Sequence, residues 1–161
     1  LFGFTDEEYF IKNRAQFIEI ANRYNEDKKI IWIAESSGKL TLLNDFKIIN
    51  KDGTEIESIG RGPKIRLANL DELYNYYGLK KEEVQWYLNK LKEINYSYLE
   101  KDEMWVEGGV ENKIIEFGKD RWSSDYGVIY NPQNKMPEKR ELERDWEKFE
   151  RIEDNWFIYI R

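Results

Sequence analysis

The hydrophobic residues of this chain change their spacing several times, and each spacing persists over a run of neighbouring segments. Helical spacing occupies the first 25 residues, the middle of the chain and a stretch near residue 140, and short apolar or alternating runs lie in groups between them. Grouped strands predict an α+β fold: a mainly antiparallel sheet packed by an N-terminal helix, a central helical hairpin and a short C-terminal helix. At this length we expect one domain spanning residues 1–161.

The first half begins with a capped helix. Thr5 and Glu8 form a capping box, and apolar residues recur at helical spacing as far as Asn25. The segments that follow are short, β-branched or alternating, and Asn50–Gly53 supplies turn residues. They predict three strands: Ile30–Ile33, Leu40–Ile49 and Thr54–Ile59.

Two helices are predicted in the middle of the chain. Asn69 is a good N-cap, Gly78 stands where a helix would end, and Leu73 and Tyr74 lie on the apolar face between them. A second helix is predicted over Lys80–Glu93, with an apolar stripe formed by Val84, Tyr87, Leu88 and Leu91.

The last third is again mostly of strand type. A charged helix is predicted to begin near Pro137, with Leu142, Trp146 and Phe149 along its buried edge. The predicted strands are Tyr96–Leu99, Met104–Glu107, Val110–Phe117, Tyr126–Tyr130 and Trp156–Ile160.

The composition excludes several chemistries. The chain has no His and no Cys, so catalysis by a Ser-His or Cys-His pair and thiol redox chemistry have no reacting group. Zinc and copper are held mainly by imidazole and thiolate, whereas a Ca²⁺ or Mg²⁺ site made of oxygen ligands stays open. No motif indicates a cofactor, so we expect none.

No uninterrupted apolar stretch is longer than Ile30–Ala34, which is far short of the ~20 residues that a membrane-spanning helix needs. We expect a soluble protein without a membrane span. The chain begins with Leu1 and not with Met, so the sequence leaves the compartment open between a cytoplasmic protein and one exported after removal of a leader.

The charge favours a basic or neutral partner. With 26 Lys and Arg against 32 Asp and Glu, the formal net charge is −6. Generic nucleic-acid binding needs cations to neutralise phosphates, so a nucleic-acid partner is not favoured.

The central helix pair and the following hairpin resemble a helix-turn-helix with a wing, over about a fifth of the chain. Leu73, Gly78 and Val84 carry the resemblance, which implies a winged-helix nucleic-acid binder. Two features oppose it. Tyr74 stands where the motif needs a small residue, and residues 66–95 carry five basic and five acidic side chains, hence no net charge.

Three aromatic residues are candidate binding residues. Trp86 points away from the apolar stripe of its helix, and Tyr76 is similarly off the apolar face of the preceding one. Either they form part of a partner-binding surface, or a loop or the N-terminal helix covers Trp86. Trp122 lies in the polar turn Arg121–Asp125 and either stacks on a sugar ring or packs beneath a loop.

Phosphate-binding and calcium-binding motifs are excluded by the spacing of their residues. Gly60–Lys64 has neither the Walker nor the Rossmann pattern, and aligning Gly53 with a calcium loop places Ile48 and Ile59 at ligand positions. Two carboxylates could hydrolyse a glycan without histidine, but no motif selects a pair among 32 acids. We therefore assign no catalytic and no metal-binding residue.

The run Tyr126–Pro132 and the terminal Trp156–Ile160 resemble the closing hairpin region of small bacterial proteins of unassigned activity, over the last quarter of the chain. This resemblance implies no mechanism. We interpret the chain as a non-enzymatic binding or inhibitory protein of bacterial type that engages a basic protein, as an immunity-type inhibitor engages a toxin. The alternatives are an envelope-associated glycan-binding module, a carboxylate-only hydrolase and the winged-helix-like binder.

Overall fold

The computed structural model describes residues 6–60, 64–120 and 125–161 and confirms the α+β prediction. Over these residues it has five helices and one nine-stranded sheet. The helices are α1 (Asp6–Lys12), α2 (Arg14–Glu26), α3 (Leu70–Tyr77), α4 (Lys81–Ile94) and α5 (Lys139–Asp145). The strands are β1 (Trp32–Ser36), β2 (Lys39–Leu43), β3 (Phe46–Ile48), β4 (Ile56–Ser58), β5 (Tyr98–Val106), β6 (Val110–Asp120), β7 (Asp125–Tyr130), β8 (Lys148–Glu153) and β9 (Trp156–Ile160).

All strand pairings in the sheet are antiparallel, as predicted. The order is β4-β3-β2-β1-β5-β6-β7-β9-β8, so β5 and β6 lie near its middle. Successive side chains of a strand point to opposite faces. The large core lies on one face, where the Phe17 ring of α2 contacts Phe117 of β6 and Trp156 of β9. We call this the helix face.

A smaller core lies on the opposite face of the sheet. Met104, Ile129 and Tyr159 are among its buried members, and Trp146, just after α5, packs on Tyr159 with 5.3 Å between ring centroids. Leu142 of α5 packs against the same cluster. The sheet is therefore buried from both sides. This requires apolar residues among both the odd- and the even-numbered positions of β5, β6 and β9, since these face opposite sides.

The central helix pair forms as predicted. The Asn69 side chain accepts a hydrogen bond from the Glu72 backbone N–H at 3.0 Å, and Gly78 closes α3 with φ = 64°. The apolar stripe of α4 is buried. The β5–β6 hairpin that follows is an inner part of the sheet, between β1 and β7.

Two predicted elements are divided. The N-terminal helix is interrupted at Asn13, whose side-chain amide donates to the Tyr9 carbonyl at 2.9 Å, and Asn13 itself has φ = −108° and ψ = 17°. The predicted strand Leu40–Ile49 is two strands, because Asn44 takes φ = 52° and turns the chain between β2 and β3.

Two other predictions are corrected in the second half. The C-terminal helix ends at Asp145, because Trp146 is already extended and Phe149 pairs with Tyr159 as part of β8. The two strands predicted between Tyr96 and Glu107 are the single strand β5. The predicted N-cap Thr5, residues 61–63 of the glycine loop and Trp122 lie outside the described residues. Within the described part of the chain, no helix is long and apolar enough to cross a membrane.

Candidate functional site

Trp86 lies against α2. The Arg23 guanidinium carbon is 4.1 Å from the centroid of its ring, the Lys90 ammonium is 5.6 Å away, and the ring is partly buried beside the large core. A cation this close to an indole face is favourable. The N-terminal helical region therefore covers this face, which is one of the two arrangements considered from the sequence.

Tyr76 lies in a different environment. It is 49% exposed, and its ring contacts Phe46 of β3 and the neighbouring Tyr77. Among the described residues, Tyr76 and Trp86 have no ring partner in common. The structure thus gives no shared aromatic surface for the two, and their role in binding stays a prediction.

An acidic groove of about 570 Å³ lies between β5 and α5. It follows an edge of β5 that β1 leaves uncovered, because β1 pairs only with residues 98–100. Trp105, in its wall, is 45% exposed although its neighbours Met104 and Val106 are buried. Besides Trp105 and Trp146, the groove is lined by Asp102, Glu103, Glu111, Glu141, Asp145, Arg144 and Arg161.

Carboxylates outnumber cations in this groove by five to two. Arg144 is shared between Glu141, at 3.1 Å, and Asp145, at 2.8 Å. Desolvation and the charge of Asp145 raise the pKa of Glu141, against the opposing effect of Arg144. The nearby carboxylate of Glu103 raises the pKa of Glu111, so these two acids lie close enough to repel as anions. The groove attracts positive charge.

Two tyrosines and two glycines form one cross-strand row next to this groove. The row lies on the face of the sheet that holds the smaller core. Tyr98 of β5 faces Gly118 of β6, Gly118 faces Gly127 of β7, and Gly127 faces Tyr159 of β9. The Tyr98 ring occupies the space that a Cβ atom on Gly118 would need. Over the two glycines, the hydroxyls of Tyr98 and Tyr159 approach to 3.3 Å. The missing side chains thus let two tyrosines meet across two intervening strands.

Glu116 lies beside this tyrosine pair and is 0% exposed. Its Oε1 accepts from the Tyr98 hydroxyl at 3.1 Å and is 3.1 Å from the Arg161 guanidinium, while its Oε2 has no hydrogen-bond partner among the described residues. Burial raises the pKa of Glu116, and Arg161 with the two tyrosine hydroxyls acts in the opposite direction. Arg161 also reaches Asp102, at 3.5 Å.

Glu100 faces Glu116 directly across β5 and β6. Burial, followed by the charges of Glu116 and Asp102, raises the pKa of Glu100 to about 7. On its other side Glu100 faces Trp32 of β1, whose indole N–H is buried without a hydrogen-bond partner in the described chain. Like charges directly opposed in a sheet are unfavourable, so this pair needs a proton or a cation.

We call Glu100, Asp102 and Glu116 the acidic cluster. It differs from a catalytic carboxylate pair in one respect. Glu116 is fully buried and already paired with Arg161, so it presents no free face to a substrate. The described residues contain no group of three or more acids arranged to hold a metal ion. The arrangement is suited to binding positive charge.

Sequence reasoning did not single out Trp105 or the pair Glu100 and Glu116. Trp105 could have been found from strand parity, because Met104 and Val106 flank it as alternate apolar residues. The acidic pair depends on the register between β5 and β6, which the sequence pattern alone does not give.

Comparison with known proteins yields little. No family model matches the chain, and no solved structure matches it. An endoplasmin homolog from Arabidopsis thaliana is 30% identical over 104 residues, which is 62% of this chain. The match covers 11% of the length of that plant protein. The likeness thus concerns a small part of a much longer protein.

Proposed function

We propose that this chain is a non-enzymatic binding protein that engages, and thereby inhibits, a basic protein partner through the acidic groove between β5 and α5. The observation that carries the proposal is the combination of five carboxylates, two guanidinium groups and the half-exposed Trp105 in one groove. Aromatic residues supply much of the binding energy of interfaces, and complementary charge accelerates encounter.

The net charge of the chain supports the same assignment. A formal charge of −6 extends the attraction of the groove to a basic partner over the distance of a Debye length, about 8 Å at physiological salt. The central helices do not offer an equivalent surface to nucleic acid, since residues 66–95 carry no net charge and β5 and β6 lie inside the sheet.

A hexa-arginine peptide serves as a probe of this proposal. We expect it to quench tryptophan fluorescence, with an affinity that falls steeply as salt is raised. Trp105→Ala should weaken binding about tenfold, because losing a central aromatic contact costs on the order of 1–2 kcal/mol. The matched control is Tyr76→Ala, which removes an aromatic ring of similar exposure outside the groove.

Three outcomes would contradict the assignment. Binding that does not depend on salt would remove the electrostatic argument. An equal loss of affinity in Trp105→Ala and Tyr76→Ala would place the peptide elsewhere. Retention of neutral glycans through Trp105, without binding of the peptide, would favour the glycan-binding alternative.

A further inference from the structure

The acidic cluster of Glu100, Asp102 and Glu116 adjoins the groove through Asp102 and Arg161, and it has more negative charge than this one cation can balance. Arg161 is the one cation that contacts this cluster among the described residues, and it is divided between Glu116 and Asp102. Glu100 accepts no side-chain hydrogen bond within the described chain. The carboxylates that act on one another here are Glu100 and Asp102 of β5, Glu116 of β6 and Asp125 of β7.

A second observation concerns buried polar atoms. Trp32, Glu100 and Glu116 lie side by side in one cross-strand row of β1, β5 and β6. Glu116 Oε2 is buried and has no partner in the described residues. A buried carboxylate oxygen without a hydrogen bond costs on the order of 1–3 kcal/mol, and more when charged, so this row is short of positive charge.

The contacts of the neighbouring Arg161 show that this part of the sheet binds a guanidinium group. Its guanidinium is bound by the carboxylates of Glu116 and Asp102, and its carbon lies 4.6 Å from the ring centroid of Trp146. Carboxylates and an indole ring together stabilise a guanidinium by ion pairing and cation–π attraction. Glu100 and Trp32 offer the same two groups next to Arg161, and within the described part of the chain no cation is in ion-pair or ring contact with either of them.

We propose that Glu100, with Asp102, receives one arginine or lysine side chain of the partner beside the ring of Trp32, while the buried Glu116 acts on that cation through its charge alone. The inference rests on the proposed function for its partner and specifies which group of that partner is recognised. The exposed edge of the cluster at Asp102 and Arg161 lines the acidic groove, so a basic protein seated there can reach it.

Binding at this position is coupled to a proton. The pKa of Glu100 lies at about 7 because burial and three carboxylates oppose its ionisation, with Arg161 acting against them. An incoming cation favours the carboxylate and lowers this pKa, so the ligand displaces a proton near neutral pH. Affinity therefore rises with pH up to about 7 and then levels off.

N-acetyl-L-arginine amide, titrated into the intact chain and followed by NMR of side-chain carboxyl carbons, tests the inference. We expect shifts at Glu100 and at the Trp32 indole, and a Glu100 midpoint at least one pH unit lower with saturating ligand. One unit corresponds to about tenfold weaker binding at acidic than at alkaline pH. N-acetyl-L-alanine amide is the uncharged control.

Glu100→Gln removes the charge with little change of shape and should abolish the pH dependence. Glu57→Gln, on exposed β4 at the far edge of the sheet, is the matched control and should leave it unchanged. The inference is overturned if the arginine amide perturbs neither residue, or if Glu100→Gln binds with an unaltered pH profile. A failure of the proposed function would be seen separately, because hexa-arginine binding would then depend neither on salt nor on Trp105.

Discussion

At the scale of single residues, Glu100 and Glu116 are the most unusual pair in the molecule. Two carboxylates directly opposed on neighbouring strands repel when both are ionised, and burial strengthens the repulsion. The sheet tolerates them because Arg161 and the Tyr98 hydroxyl bind Glu116, and because Glu100 takes up a proton near neutral pH.

The titration of Glu100 predicts how stability depends on pH. The pKa of Glu100 rises from 4.5 to about 7 on folding, so the folded chain holds more protons between these values and this residue lowers stability as pH increases. We expect Glu100→Gln to be more stable than the parent at about pH 8 by on the order of 1–2 kcal/mol, allowing for partial exposure.

At about pH 4 the same variant should nearly match the parent in urea denaturation, because Glu100 is then mostly protonated in both states. Glu57→Gln provides the control for loss of an exposed acid. A stability gain that is equal at both pH values would mean that the effect is not electrostatic.

At the scale of elements, single polar residues decide where helices and strands end. Periodicity predicted the types of nearly all the elements, and the caps Asn69 and Gly78 gave the ends of α3. It did not give the break at Asn44, because the apolar pattern of Leu40–Ile49 continues through the turn. Trp146 and Phe149 fit a helical stripe equally well, and only pairing with β9 makes the second a strand residue.

Asn44 also joins β2 to the start of β1. Its Oδ1 accepts from the backbone of Ile31 at 2.7 Å and of Trp32 at 3.2 Å, and its Nδ2 donates to the Lys29 carbonyl at 2.8 Å. We expect Asn44→Ala to lower the free energy of unfolding by about 2–4 kcal/mol, from lost hydrogen bonds and a positive φ.

Asn44→Gly separates these two causes. Glycine accepts the positive φ but supplies no hydrogen bonds, so this variant should fall between the parent and Asn44→Ala in urea denaturation. If Asn44→Gly and Asn44→Ala had the same free energy of unfolding, backbone strain would not contribute. If Asn44→Gly were as stable as the parent, the hydrogen bonds would not contribute.

At the scale of the whole molecule, one sheet carries two cores of different size. The helix face holds the large core, and the opposite face holds the small core beneath Trp146 and α5. The sequence predicted the strands that carry both cores but not the division of their apolar residues, because alternate residues of β5 and β6 are buried on opposite sides. The candidate groove lies beside the smaller core, against which Leu142 of α5 packs.

Hydrogen exchange should reveal this difference. We expect Leu142→Ala to lower the protection of the α5 amides while the β6 amides keep theirs, because among the described residues Leu142 packs on the small core and not on the large one. Leu88→Ala in the large core should lower the protection of both, by about 2–5 kcal/mol. Uniform loss of protection in Leu142→Ala would show that the two cores unfold as one unit.

The glycine row beneath the two tyrosines also restricts the register in which the strands can pair. A slip by two residues keeps every apolar side chain on its own face, so hydrophobic pattern alone does not oppose it. Such a slip would carry Glu116 into the volume filled by the Tyr98 ring, where even a methyl group has no room. Steric exclusion at Gly118 by the Tyr98 ring thus selects one alignment of β5 and β6 from those that burial would permit.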